Sequence, residues 1–235
     1  MQFIIDPLIK EIFPKIKIGV LIVKGINNNS QNPEISSMLK LAEENCSKTI
    51  QPDQISSIPK IADWREAYRK FGFKPSKYRS SIESLTRRIV KGNTLPSINP
   101  IVDLYNLISI KNVLPIGGDD IDKIEGSIHL TIAKGTEEFL KLGSSDKEIA
   151  QKGEIIYRDD KEVLCRCWNY RECEKSKITK DTKNICLVVE GLENTSKEEI
   201  QRGISQLKDL ISKFCGGNFI EFYLDANTLQ TSDVH

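Results

Sequence analysis

Apolar and polar positions along this chain repeat with two periods, and the switches between them mark its elements. Residues 16–26, IKIGVLIVKGI, are rich in β-branched side chains and stop at Asn27-Asn28-Asn29, which predicts a strand and then a loop. Pro33 opens PEISSMLKLAEENCSK as a helix. Asp63 stands three residues before Glu66, a capping-box start for WREAYRKF, which Gly72 stops; Ser80 and Glu83 repeat the device ahead of IESLTRRIVK, which Gly92 ends. Asn99-Pro100 begins another helix, with Ile101, Leu104, Tyr105 and Ile108 as its apolar stripe and Asn99, Asp103 and Asn106 on the opposite side. Gly117-Gly118 beside Asp119-Asp120 then reads as a carboxylate-rich turn.

Beyond that turn, GSIHLTIAKG and GEIIYRDDKEVLCRCWNY read as strands, the second folded about Asp159-Asp160 as a hairpin. ICLVVEGL is a further strand. Thr195 and Glu198 cap a last long helix through Phe214, Gly216-Gly217 stops it, and FIEFYLD closes as a strand before a polar tail. Strands and helices come in blocks rather than in regular strand-helix-strand units, so the expected class is α+β, with a mixed, largely antiparallel sheet and flanking helices. At 235 residues the expectation is a single domain over 1–235, its core at about 63–192, with a strand-helix segment (1–60) and a helix-strand segment (193–228) packed on it and a tail at 229–235.

Composition narrows the function more by exclusion than by assertion. Lys plus Arg (34) nearly balances Asp plus Glu (33), so net charge argues for neither a nucleic-acid nor a membrane partner, and local distribution has to carry that argument. Asp6, Pro7, Lys10 and Glu11 interrupt the N-terminal apolar run too early for a signal peptide, and no later run is long enough to span a bilayer; a soluble, cytoplasmic protein is expected. Six cysteines without an export signal read as reduced thiols. Cys165-x-Cys167 with Cys173 lacks zinc-ligand spacing and a nearby histidine, so no metal and no cofactor are expected, and alternation puts Cys165 and Cys167 on one strand face as buried thiols. His129 reads as an exposed or hydrogen-bonded strand residue and His235 as part of the tail. Walker, Rossmann and nucleophile-elbow motifs are missing, which removes the common nucleotide and serine hydrolases.

One stretch is not neutral. From Arg65 to Lys91 the chain places Arg65, Arg69, Lys70, Lys74, Lys77, Arg79, Arg87, Arg88 and Lys91 against Glu66 and Glu83 alone, nine cations to two acids. Such a cluster attracts a phosphate backbone; the ordinary alternative is a pair of solvated amphipathic helices.

PSINPIVDLYNLISIKNVLPIGGDDIDKI resembles the N-x-V-V-D-x-T-N-Y-V segment, followed by P-L-H-A-F-D, of the B3/B4 editing domain in the beta subunit of bacterial phenylalanyl-tRNA synthetase. SKITKDTKNICLVVEGL is similar to that domain's S-x-V-T-x-x-T-x-x-I segment at Ser176, Ile178, Thr179, Thr182 and Ile185. The likeness runs from about Asp63 to Leu192, and the layout resembles free-standing relatives of the domain. It implies an α+β unit acting on aminoacyl-tRNA in trans and hydrolysing a misacylated ester with a positioned water. An aminoacyl ester is already activated, so oxyanion donors and an oriented water suffice. The implied partner is tRNA or aminoacyl-tRNA, not DNA and not a membrane. The alternatives are a non-catalytic RNA-binding module of the same fold, or a sensor of a free amino acid.

Carried over from the resemblance, Asn99, Asp103 and Asn106 match the family's helix motif; each also has a plain reading, as a cap or a loop tie. Gly117 falls at the family's histidine and Asp120 at its aspartate, and Gly117-Gly118 serve either a tight turn or a close approach of substrate to backbone. Glu174 matches the glutamate of a G-G-E-x-S loop that faces the bound amino acid; CWNYREC replaces the two glycines, which makes Glu172 the alternative. The expected catalytic residues are therefore Glu174, Asn106 and Asp120. The expected substrate-binding residues are Asn99, Asp103, Gly117, Gly118, Asp119, Arg166, Asn169, Arg171 and Thr179, and the nine cations between Arg65 and Lys91 are the expected RNA contacts.

Overall fold

In the computed structural model, which describes residues 1–29 and 32–234, two sheets face one another and one of them carries helices on its back. His235 lies outside the described residues. The chain opens with β1 (Phe3–Ile5) and a short α1 (Pro7–Ile12), then runs through β2 (Lys17–Lys24), α2 (Pro33–Thr49), α3 (Pro59–Lys70), α4 (Ser81–Val90) and α5 (Pro100–Asn112). Next come β3 (Ile116–Asp120), β4 (Ile128–Ile132), β5 (Glu138–Leu140), β6 (Lys147–Ile149), β7 (Ile155–Arg158), β8 (Val163–Arg166) and β9 (Arg171–Glu172). β10 (Asn184–Gly191), α6 (Lys197–Phe214) and β11 (Asn218–Asp225) complete the order.

The four-stranded sheet has the order β11-β2-β10-β3 and is antiparallel throughout; the five-stranded sheet has the order β1-β4-β7-β8-β9, with β1 and β4 its parallel pair. β2 and β10 are buried on both faces, so they read as continuous apolar runs rather than as alternation. One face of β2 (Ile18, Val20, Ile22) packs toward the five-stranded sheet, α1 and α3; the other (Leu21, Val23), with Ile185, Leu187 and Val189 of β10, packs on α2, α5 and α6. The molecule is α+β, mixed and largely antiparallel, as the block pattern implies.

Several local expectations are corrected. The Gly117-Gly118-Asp119-Asp120 segment is the edge strand β3 rather than a turn, paired with β10. Gly118 is demanded by the sheet, because a Cβ there would sit 2.3 Å from Leu187 Cδ2 and 2.6 Å from the Cys186 carbonyl. The α6 capping box is Ser196 with Glu199, one residue beyond Thr195 and Glu198. Asp63 lies inside α3, which starts at Pro59, and accepts hydrogen bonds from the Asn194 backbone and side-chain amides, each at 2.7 Å. β8 ends at Arg166, so Cys167 does not continue the face of Cys165. All six thiols are free and buried. His129 is half-exposed and hydrogen-bonds Asp160 at 3.2 Å.

Candidate active site and basic face

The two sheets enclose a carboxylate-lined cavity. Period-two alternation on β3 turns Gly117 and Asp119 toward the five-stranded sheet, and their register partners on β10, Val188 and Cys186, share that face with Glu190. From the opposite side Cys165 and Glu172, paired across β8 and β9, point back. The resulting cavity holds about 20 Å³, room for roughly one water. It adjoins an open cleft of about 190 Å³ walled by Ile98, Val102, Tyr105, Leu142 and Ile178. Gly118, Asp119 and Glu172 line both spaces.

The floor of the cavity is built by a backbone bend. Cys167 and Trp168 take positive φ (45° and 63°), an uncommon conformation for non-glycine residues. The bend drops the Trp168 indole into the core, edge-on to Trp64 and Phe13. There its Nε1 donates to Glu190 at 2.6 Å, alongside the Tyr157 hydroxyl (2.6 Å) and the Asn169 amide (2.8 Å). Three donors on one buried carboxylate satisfy it and fix the wall.

Asp119 and Glu172 are less well compensated. Burial first, then the charge of Asp119, lifts the Glu172 carboxyl to about 8, an effect the Cys165 thiol opposes. Burial lifts Asp119 to about 6, against a hydrogen bond donated by the Ser176 hydroxyl. Because the groups interact, the two steps belong to the pair. Between those two steps the pair holds one proton, so a carboxylate acceptor and a carboxylic-acid donor line the same cavity. Among the described residues no cluster of three or more His, Cys, Asp or Glu is arranged to hold a metal.

The predicted residues divide into groups. Gly117, Gly118, Asp119 and Asn169 line the cavity. Asn99, Asp103, Asp120 and Thr179 are instead committed to holding loops. Asn99 caps α5 and donates to the Ile178 carbonyl (3.0 Å), and Asp103 accepts from the Ser97 hydroxyl and the Ile98 amide. Asp120 accepts from the Thr182 hydroxyl (2.7 Å), and the Thr179 amide donates to that same hydroxyl oxygen (2.9 Å). Asn106 is half-buried one turn beyond Val102, and its side chain hydrogen-bonds no described residue. Glu174 lines neither space, being held by the Gly143 amide (2.9 Å) and by Lys177; of the two alternatives, Glu172 faces the cavity. Arg166 and Arg171 point away from the cavity, because strand alternation opposes them to Cys165 and Glu172. Glu190, Tyr157 and Tyr105 are additional wall residues, and the lone acid in ICLVVEGL was the available signal for the first.

The basic stretch is partly self-neutralised. Glu83, fully buried on α4, accepts from Arg65 (2.7 Å) and Arg87 (2.8 Å), with Arg79 at 4.0 Å. Arg69 pairs with Glu66, Arg88 caps the Thr94 carbonyl, and Lys70 lies over Phe13. Lys74 and Lys77 are exposed in the loop between α3 and α4, and Lys91 is exposed at the end of α4.

A family model described as the B3/4 domain matches residues 63–216. The phenylalanine-tRNA ligase beta subunit of Fusobacterium nucleatum is 31% identical over 127 residues, covering 52% of this chain and 16% of that protein. The corresponding subunit of Haemophilus ducreyi is 26% identical over 155 residues, covering 56% and 19%. This chain therefore spans less than a fifth of the length of these relatives. The fold is similar to an N-terminal fragment of the phenylalanyl-tRNA synthetase beta subunit from Pyrococcus horikoshii, with TM-score 0.50 and 17% identity over 94% of this chain and 53% of that one.

Proposed function

The chain belongs to the B3/4 domain family, and on that premise we propose that it binds tRNA and hydrolyses a misacylated aminoacyl ester in trans. The observation that carries this reading is the Asp119 and Glu172 pair, shared between a water-sized cavity and a larger apolar cleft. The aminoacyl side chain occupies the cleft against Val102 and Tyr105, and the ester carbon lies at its junction with the cavity. Asp119, ionised above about 6, takes a proton from a water, whose oxygen forms the new bond to the carbonyl carbon. Glu172, protonated below about 8, donates to the ester oxygen as the carbon-oxygen bond to the ribose breaks. The exposed cations Lys74, Lys77 and Lys91 attract the RNA backbone.

Likeness to tRNA ligase subunits supports the tRNA side of this reading, and the pair supports the chemistry. A panel of aminoacyl-tRNAs incubated with the protein tests it. Ester loss above buffer is expected for at least one member, and none with any member would refute it. Thermal stabilisation by a free amino acid without any effect of tRNA would favour an amino-acid sensor instead.

A further inference from the structure

The β8-β9 hairpin turns its second face to a different environment. Arg166 and Arg171, register partners like Cys165 and Glu172, look away from the carboxylates into a cleft of about 280 Å³. That volume is near the lower end of ligand pockets, which start at roughly 300 Å³. The opposite wall is the loop between α3 and α4, and Tyr78 of that loop meets Tyr170 edge to face, ring centroids 5.3 Å apart. The loop is tied down at Pro75, at Arg79 and at its junction with α4. Arg65 donates to the Pro75 carbonyl, the Ser81 amide donates to the Asn169 carbonyl at 3.1 Å, and Arg79 is drawn toward Glu83.

Charge in this cleft is unbalanced. Arg166 is neutralised by a bidentate pair with Glu154 (3.0 and 2.8 Å) and by Glu148 (2.6 Å). Lys77, Lys141 and Arg171 also line the cleft, and among the described residues none of them has a carboxylate within 4.0 Å. Two of these cations sit on the aromatic rings themselves: Lys77 Nζ is 5.4 Å from the Tyr78 centroid and the Arg171 guanidinium 4.8 Å from that of Tyr170. Arg171 also donates to the Tyr170 hydroxyl at 3.2 Å, and cations without a carboxylate partner beside aromatic faces match a ligand that joins an oxyanion to a planar ring, which is the chemistry of a nucleotide.

We propose that this cleft, on the far side of the hairpin from the carboxylate pair, is a second site that binds a nucleoside monophosphate unit. The phosphate pairs with Lys77, Lys141 and Arg171, and the base lies against Tyr170 or sandwiches the Arg171 guanidinium. It stands on its own geometry and does not require ester hydrolysis. Calorimetric titration of the intact chain with AMP, adenosine, inorganic phosphate and the trinucleotide CCA tests it. AMP is expected to bind at least about tenfold more tightly than adenosine or phosphate, since phosphate and base contacts add. The Lys77→Ala/Arg171→Ala double variant, altered at exposed positions, is expected to lose at least about tenfold in AMP affinity with its melting temperature unchanged. Tighter binding of CCA than of AMP assigns the site to an RNA strand, and equal binding assigns it to a free nucleotide. AMP binding no tighter than adenosine, or unaffected in the double variant, overturns the proposal.

Discussion

Replacing Glu172 with Gln isolates the cost of the carboxylate pair without any substrate. In the folded protein burial and Asp119 hold the Glu172 proton up to about pH 8, against an ordinary value of 4.5. Below 4.5 folded and unfolded chains are both protonated and nothing is lost. As pH rises the unfolded chain ionises while the folded one keeps its proton, so stability falls with pH until about 8 and then levels off. Asp119 is raised in the same direction, to about 6, and because the two acids titrate as a pair the fall between about 6 and 8 is the pair's second step, the one that needs Glu172. Each pH unit is worth about 1.4 kcal/mol. After a discount for the part of Glu172 that solvent reaches, the wild type should lose about 2 kcal/mol across that window. Gln stays neutral, so the variant should lose little there and be the more stable protein at pH 8, a function-for-stability exchange common at active sites. Urea unfolding curves at half-unit intervals report this as the shift of the midpoint. A variant with the wild-type slope, or one less stable than wild type at pH 8, would refute the reasoning.

Glu83→Gln removes the anchor of Arg65 and Arg87 and should cost about 3–5 kcal/mol, the range for breaking a buried ion pair, seen as a large fall in melting temperature; a near-native melt would show the hub to be dispensable. Gly118→Ala drives a methyl into Leu187 and the Cys186 carbonyl and should destabilise by at least about 1–3 kcal/mol. Gly117→Ala meets only Glu172 Oε1, at 3.2 Å, so it should leave the melt nearly unchanged while slowing deacylation. Ser196→Ala should cost about 1 kcal/mol through the lost capping box, read from chemical denaturation.

Long periodic elements were legible in the sequence because their signals are local: the Asn99 cap and the Asp159-Asp160 hairpin appear where pattern puts them, and the apolar run at 16–26 holds the strand at 17–24. The short elements β1, α1, β5 and β6 carry too few residues for a period to register, and tertiary pairing makes them. Gly117-Gly118 misled for a related reason: glycine suits turns, but here it clears the space that packing against β10 and Glu172 needs. Choosing between Glu172 and Glu174 needed the phase of a two-residue strand, which depends on its pairing with β8 rather than on neighbouring residues. Around Glu83, Arg79 and Arg87 stand at helical i,i+4 spacing, but Arg65 reaches it across the loop between α3 and α4, a contact that no local pattern shows.

The carboxylate pair is tested most directly by single-turnover deacylation of the preferred aminoacyl-tRNA across pH, comparing wild type with Glu172→Gln and Glu174→Gln. A bell-shaped rate is expected, rising through about pH 6 as Asp119 ionises and falling through about 8 as Glu172 loses its proton. Glu172→Gln should abolish the alkaline limb and lower the maximum by at least about tenfold, while Glu174→Gln keeps both limbs. A flat profile, or Glu174→Gln as the variant that loses activity, would contradict the assignment.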